Sequence, residues 1–482
     1  MSLTAVWLVP ALGGVAVTLL PRRFGRWLGV LVALAALAYS LYLAYLFDPG
    51  HHGYQFAERV AWVPHYHVSY RLGVDGISLW LLVLNAFLTL IAVLATPLDL
   101  PGESRFIGLL LLMAGGMAGV FLAVDLVLFY VFWEAMLIPA YFLLWRWGTA
   151  ERPGRAALKF VLFTLFGSLL MLVGVVAEYA YTGQRSFDLT YLLQNPPAPT
   201  IQFGLFFLFA IAFAIKTPVF PFHSWLPDAY LSAPVPLLVT FAGVMGKTGA
   251  YAMLRILVPL FRHPVGWWDW NAVLPVLAVA GIVWGALLAL TQRDLKALIA
   301  YSSISHLGFI VLGIFALNVQ GQQGAVVQMV NHGLIVPALF LIVGWLEVRL
   351  GSRDRGRLGG LAPRMPVLAG VFMVVTLAAL GLPGLNSFVG EFMILLGAWQ
   401  LSPSLAVAAC AGLVLAPVYM LRLFQGAMQG ESVRAQESQP RLDLRGSELA
   451  LLAPLVGLMF VLGLYPYVIT RALDAVAHPP WQ

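Results

Sequence analysis

Six ionisable side chains lie inside stretches that are otherwise apolar, and together they could carry protons. They are Glu134 in FYVFWEAMLIPAYFLLW, Lys216 in AIKTPVFPFHSW, Lys247 in GVMGKTGAYAML, His306 in YSSISHLGF, His332 in QMVNHGLIVPALF and Glu391 in GLPGLNSFVGEFMIL. A charge in hydrocarbon costs roughly 2.5–3.5 kcal/mol even on the lenient insertion scale, so each of these residues needs a reason to be there. Prolines stand beside three of them. A proline has no N–H and frees the carbonyl four residues back. Pro218 and Pro221 free Ala214 and Thr217 around Lys216, Pro139 frees Ala135 beside Glu134, and Pro337 frees Gly333 beside His332. Broken backbone at membrane depth is tolerated only inside protein or against a water-filled cavity. Ionisable groups beside released carbonyls therefore point to a string of hydrated sites. Carboxylate, ammonium and imidazole groups exchange protons through water when a neighbouring charge changes. A negative charge moving toward or away from Lys216 would load or unload its proton.

Each residue also has a plainer reading. Glu134 and Lys216 could be a structural ion pair joining two helices, although a buried pair is a weak stabilising device because desolvation offsets the Coulomb gain. Gly243, Gly246 and Gly249 around Lys247 fit a close helix crossing, which leaves the lysine itself unexplained. His306 and His332 could each be a membrane histidine bonded to a neighbour. His223 and Arg255 lie nearer to span ends and read as interfacial anchors. No aspartate-rich oxygen cage for a metal ion is visible, so protons are favoured over sodium, with the freed carbonyls leaving sodium open.

The elements that position these residues follow from composition. The chain of 482 residues is 61% hydrophobic and 10% charged, with mean hydropathy +0.89, whereas soluble domains carry about 25% charged residues. That is an all-α polytopic membrane protein with little sequence left for a soluble domain. The net charge of +6 follows the membrane loops and is no nucleic-acid signal. Cys410 is the only cysteine, which excludes an intrachain disulfide and any cysteine-ligated zinc or iron–sulfur cluster. No Gly-rich phosphate loop follows a strand pattern. Residues 1–20 are apolar but their basic flank comes after them, opposite to a signal peptide, so they read as a retained first helix.

With about 20 apolar residues per span, fourteen spans are expected near 3–20, 27–47, 77–97, 106–123, 125–145, 156–179, 203–230, 236–260, 273–291, 295–317, 322–348, 367–400, 403–425 and 448–470. The seventh and twelfth are broken, at Pro218/Pro221 and at Pro383-Gly384. The link 48–76 holds four of the nine histidines and an alternating patch, which predicts a short extramembrane hairpin. With the N-terminus outside, the loops after odd-numbered spans hold nineteen of the 27 lysines and arginines, the other side holds five, and three are intramembrane or nearly so. The positive-inside rule then puts both termini on the non-cytoplasmic side. The two broken spans are five helices apart, and a unit with an odd number of helices returns upside down. Two inverted five-helix repeats follow, spans 4–8 and 9–13. Glu134 to Lys216 is 82 residues and His306 to Glu391 is 85; Lys216 to Lys247 and Glu391 to Arg422 are both 31. The expected divisions are 1–105 for the first three spans and their loop, 106–260 and 261–426 for the repeats, and 427–482 for a polar link and the last span.

FYVFWEAMLIPAYFLLWRWG, KTPVFPFHSWLPDAYLSAPVPLLVTFAGVMGKTGAYAMLR, QRDLKALIAYSSISHLGFI and GLPGLNSFVGEFMIL resemble the antiporter-like subunits of respiratory complex I, over spans 3–14. The wider family includes the large subunits of multisubunit Na⁺/H⁺ antiporters and of membrane-bound hydrogenases. Of three such subunits in complex I, the longest adds a lateral helix. This chain stops about a dozen residues past the last span and is expected to lack one. Another usually has a lysine on the broken twelfth span, where Glu391 stands here.

The resemblance implies roles. Glu134 and Lys216 look like the pair that governs proton loading, Lys247 and His306 like the central connection, His332 like a relay, and Glu391 like the terminal site. It implies a bacterial inner-membrane protein that pumps protons, driven by electron transfer from NADH to quinone in other subunits. Flavin, iron–sulfur clusters and quinone would lie in those subunits, with no redox site or metal in this chain. The implied partners are other membrane subunits, above all the two other antiporter-like ones, with lipids and protons and no nucleic acid. The alternatives left open are an ion-translocating subunit of an Na⁺/H⁺ antiporter or hydrogenase complex, a passive scaffold that docks a redox arm, and a free-standing permease.

Overall fold

The computed structural model describes residues 1–51, 53–149, 152–261, 270–430 and 443–477. Most of the expected polar link therefore lies outside the described residues. Among those described, twelve helices are long and apolar enough to cross a membrane, from Arg22–Leu46 to Gly446–Leu464. Two further apolar helices, Thr4–Leu19 and Pro366–Ala379, are shorter. The second is short because the break at Pro383-Gly384 divides the expected twelfth span into Pro366–Ala379 and Asn386–Leu401. The seventh divides likewise, into Pro199–Lys216 and Trp225–Ser232. The chain is thus a helical, polytopic membrane protein.

The helices group into two compact units. One comprises 1–218, 232–274 and 471–482; the other comprises 219–231 and 275–470. The two halves of the seventh span thus fall in different units.

In the first unit the expected hairpin forms from antiparallel strands Gln55–Val63 and Val68–Val74. Partial burial works against ionisation of Glu58 in this hairpin, but hydrogen bonds from Thr4 outweigh it and hold the carboxyl below the usual range. The hairpin also anchors the span that carries Glu134. One Asp125 oxygen accepts from the Ser69 N–H and hydroxyl at 2.9 and 3.0 Å. The other caps the Val127 and Leu128 N–H groups, satisfying donors that a helix start leaves open. Arg71, two residues further along the strand, pairs with Asp188.

In the second unit two side chains fix the helices that carry the histidines. Asp294 caps Leu295–Ile314 through the N–H groups of Lys296 and Ala297. Asn318 caps Val319–Leu350 through Gly321 and also donates to the Gly397 carbonyl at 2.8 Å. That bond ties the helix of His332 to the helix of Glu391.

Candidate proton-transfer sites

The first unit brings Glu134, Lys216 and Lys247 into one region. Lys216 is the last residue of its helix and is 1% exposed. Its Nζ makes no hydrogen bond and lies 5.4 Å from the ring centroid of Trp133 and 5.8 Å from that of Phe160. Aromatic faces attract a cation without replacing its hydrogen bonds. Glu134 is the acid near enough to act on Lys216 electrostatically, yet no ion pair joins them among the described residues. The carboxylate sits at the end of Leu126–Ala135, where the helix is interrupted at Met136 before Leu137–Trp147 resumes. Its Oε1 is buried and unbonded. The reading of a structural ion pair therefore fails: both groups have been left without a fixed partner.

Lys247 is fully buried in the span Val235–Leu260. That span contains two π-helical turns, Phe241–Met245 and Met253–Leu257, a rare form that concentrates at functional sites. Lys247 Nζ donates to the carbonyl of Ala242, inside the first turn, at 2.5 Å. Gly249 bears out the close crossing: a Cβ there would lie 2.8 Å from Thr217 N and 2.9 Å from the Phe213 carbonyl. The Lys247 span therefore crosses the broken helix at the turn after Lys216. Gly246 has no such neighbour; a Cβ there would enter open space.

The second unit holds a hydrogen-bonded cluster around Glu391. Its Oε1 meets His306 Nδ1 at 3.0 Å and accepts from Gln328 Nε2 and Ser387 Oγ, both at 3.1 Å. Gln328 Nε2 also donates to Ser387 Oγ at 2.9 Å. The other carboxylate oxygen lies against the unwound turn: a Cβ on Gly381 would sit 3.0 Å from Oε2, and Gly381 has φ +80°. Only glycine adopts that backbone freely, so the break in the helix is also the space the carboxylate occupies. The His306 and His332 rings are 5.8 Å apart. A cavity of ≈ 10 Å³ is lined by Ser302, His306, Gln328, His332, Ser387 and Met420, among others. It has room for about one water, which could bridge the imidazoles.

Gln328 and Ser387 were not singled out from sequence. The signal was the four-residue spacing of Gln328 to His332 and of Ser387 to Glu391, which stacks each pair on one helix face. Glu178 was missed as well; it is fully buried and neither carboxylate oxygen has a partner.

Arg255 requires a correction. It is not an interfacial anchor but is 9% exposed, 3.0 Å from Asp75 Oδ2 and 4.3 Å from the centroid of Tyr54. Tyr54 immediately precedes the first hairpin strand, and Asp75 is the N-cap of Gly76–Ala95; neither is near Arg255 in sequence. Removing one member of a buried pair costs about 3–5 kcal/mol because the other charge is stranded. Arg255→Ala and Asp75→Ala should each lower the melting temperature of the purified protein. The double variant should lose less than the sum of the two.

A helical membrane bundle whose intramembrane charges sit at broken or π-helical turns has the architecture of an ion-translocating membrane protein. Residues 123–416 match the family model described as NADH:quinone oxidoreductase/Mrp antiporter, transmembrane, and the chain belongs to that family. It is 38% identical to NADH-quinone oxidoreductase subunit M of Mycobacterium tuberculosis, over 96% of this chain and 91% of that protein. It is similar in structure to a chain of respiratory complex I from Thermus thermophilus with bound NADH, with TM-score 0.90 and 35% identity over 99% of this chain and 98% of that one. A chain of the Mrp complex from Dietzia is also similar, with TM-score 0.86 and 27% identity over 99% of this chain and 52% of that one.

Proposed function

We propose that this chain is the proton-translocating, antiporter-like subunit of respiratory complex I that its subunit M relatives represent. The observation that carries the reading is Lys216: a buried ammonium at a helix break, unbonded, with Glu134 near but not paired. An ammonium held this way exchanges its proton when nearby charge or water changes, whereas a structural lysine would be saturated with hydrogen bonds. Lys216 and Glu134 load the proton, Lys247 and His306 are the central connection, His332 relays, and Glu391 is the terminal acid, with His306, Gln328 and Ser387 bonded to it.

In this reading the two shorter apolar helices bring the spans to fourteen. Spans 4–8 and 9–13 are inverted repeats, and both termini lie outside the cytoplasm in a bacterial inner membrane. NADH oxidation, flavin, iron–sulfur clusters and quinone reduction belong to other subunits, and the neighbours in the membrane are the other antiporter-like subunits. Protons are the ion carried. The test is the complex reconstituted in vesicles with Glu134→Ala and Lys216→Ala combined. Quinone reductase turnover and proton pumping should fall together while the complex still assembles. A passive scaffold would leave both turnover and pumping at the parent level in the double variant, and that result would overturn the proposal.

A further inference from the structure

Arg355 and Arg422 have no part in the proton sites, yet both line one open pocket of ≈ 470 Å³ with Gln425, Gly426, Gln429 and Gly430. All lie in the second unit. Arg422 and Gln425 stand on the last two turns of Pro403–Met428 and Gln429 is its C-cap, and Arg355 comes from the short turn Arg355–Arg357. Neither guanidinium is paired with an acid among the described residues. Arg355 reaches the pocket because position 426 is glycine: a Cβ there would collide with Arg355 Cγ and Cδ. The stem of Arg355 therefore lies directly on the helix surface, beside the pocket that Arg422 also lines.

Two guanidiniums and two side-chain amides lining one pocket form a donor-rich site for an oxyanion. Guanidinium forks match phosphate geometry. A helix C-terminus disfavours anions, so this end of the helix needs the arginines to hold one. The exposed face leading to the pocket identifies the kind of phosphate. Val407, Val414 and Val418 are 63%, 70% and 40% exposed, and they continue at helical spacing to Arg422 and Gln425. An apolar stripe running along a membrane helix into a basic pocket fits acyl chains below a headgroup. Basic pockets of this kind between membrane helices bind anionic lipid headgroups.

We propose that this pocket binds the phosphate headgroup of an anionic phospholipid, with its acyl chains along the Val407–Val418 stripe. The test uses the intact complex in phosphatidylcholine nanodiscs, a trace of photoactivatable phosphatidylglycerol, and peptide mapping of the label. Labelling is expected on 403–428 and should fall by about thirtyfold in Arg355→Gln, Arg422→Gln, since each arginine near a membrane surface is worth about 1 kcal/mol to an anionic lipid. Gly426→Ala should reduce it as well, by displacing Arg355 with no change of charge. Inorganic phosphate should not compete, because it lacks acyl chains. The proposal is overturned if photoactivatable phosphatidylcholine labels 403–428 equally well. It is also overturned if labelling survives both variants, or if inorganic phosphate alone displaces the lipid.

Discussion

Lys216→Met should make the protein more stable and stop it pumping. The two effects have one cause. Lys216 Nζ is buried and makes no hydrogen bond, so the fold carries an ammonium's desolvation cost that the Trp133 and Phe160 faces and nearby Glu134 offset only in part. Leaving a buried polar group unsatisfied costs about 1–3 kcal/mol, and more when it is charged. Methionine has nearly the same length, packs on Trp133 and Phe160 through its thioether, and removes that cost. Melting of the purified complex should shift upward. Proton pumping in vesicles should fall by about a hundredfold, the low end of what a positioned proton-transferring side chain contributes, and quinone reductase turnover should fall with it. A structural lysine predicts the reverse: a methionine there would lower stability and leave pumping intact. Melting and pumping measured on one preparation therefore separate the two readings.

This trade-off bears on what the sequence could reveal. Lys216 was legible because one charge in a long apolar run followed by two prolines breaks two rules at once, and such conflicts mark functional sites. The break at Pro383-Gly384 was legible for the same reason. The hairpin at Gln55–Val74 could be anticipated from alternation alone. What remained hidden depends on pairing across the fold. The Glu134–Lys216 separation is set by how two interrupted helices cross, and residue identity says nothing about whether they touch. The π turns at Phe241–Met245 and Met253–Leu257 have no composition signature, yet one supplies the carbonyl for Lys247 and the other carries Arg255. Arg255 looked interfacial because its sequence position is near a span end. Its burial comes from Asp75 and Tyr54, 180 and 201 residues away.

Glu391 presents the opposite case to Lys216, and its substitutions should behave oppositely. One oxygen of Glu391 meets three partners, His306, Gln328 and Ser387. Glu391→Ala would strip the acceptor from Gln328 and Ser387 and the partner from His306 at once. Each buried donor left open costs about 1–3 kcal/mol, less whatever a water drawn from the adjacent ≈ 10 Å³ cavity restores. The alanine variant should therefore lose stability as well as pumping. Glu391→Gln keeps the shape, and its amide oxygen can still accept from Gln328 and Ser387. It should melt within about 1 kcal/mol of the parent, as a neutral isostere that retains its hydrogen bonds does. Yet an amide neither takes up nor releases a proton near neutral pH, so pumping should still be lost. If Glu391→Gln pumps normally, the carboxylate serves only to hold His306 and Gln328 in place, and the terminal proton site must be sought among other groups of the second unit. If it melts like the parent and does not pump, the bonded network is scaffolding around a proton that only Glu391 can carry.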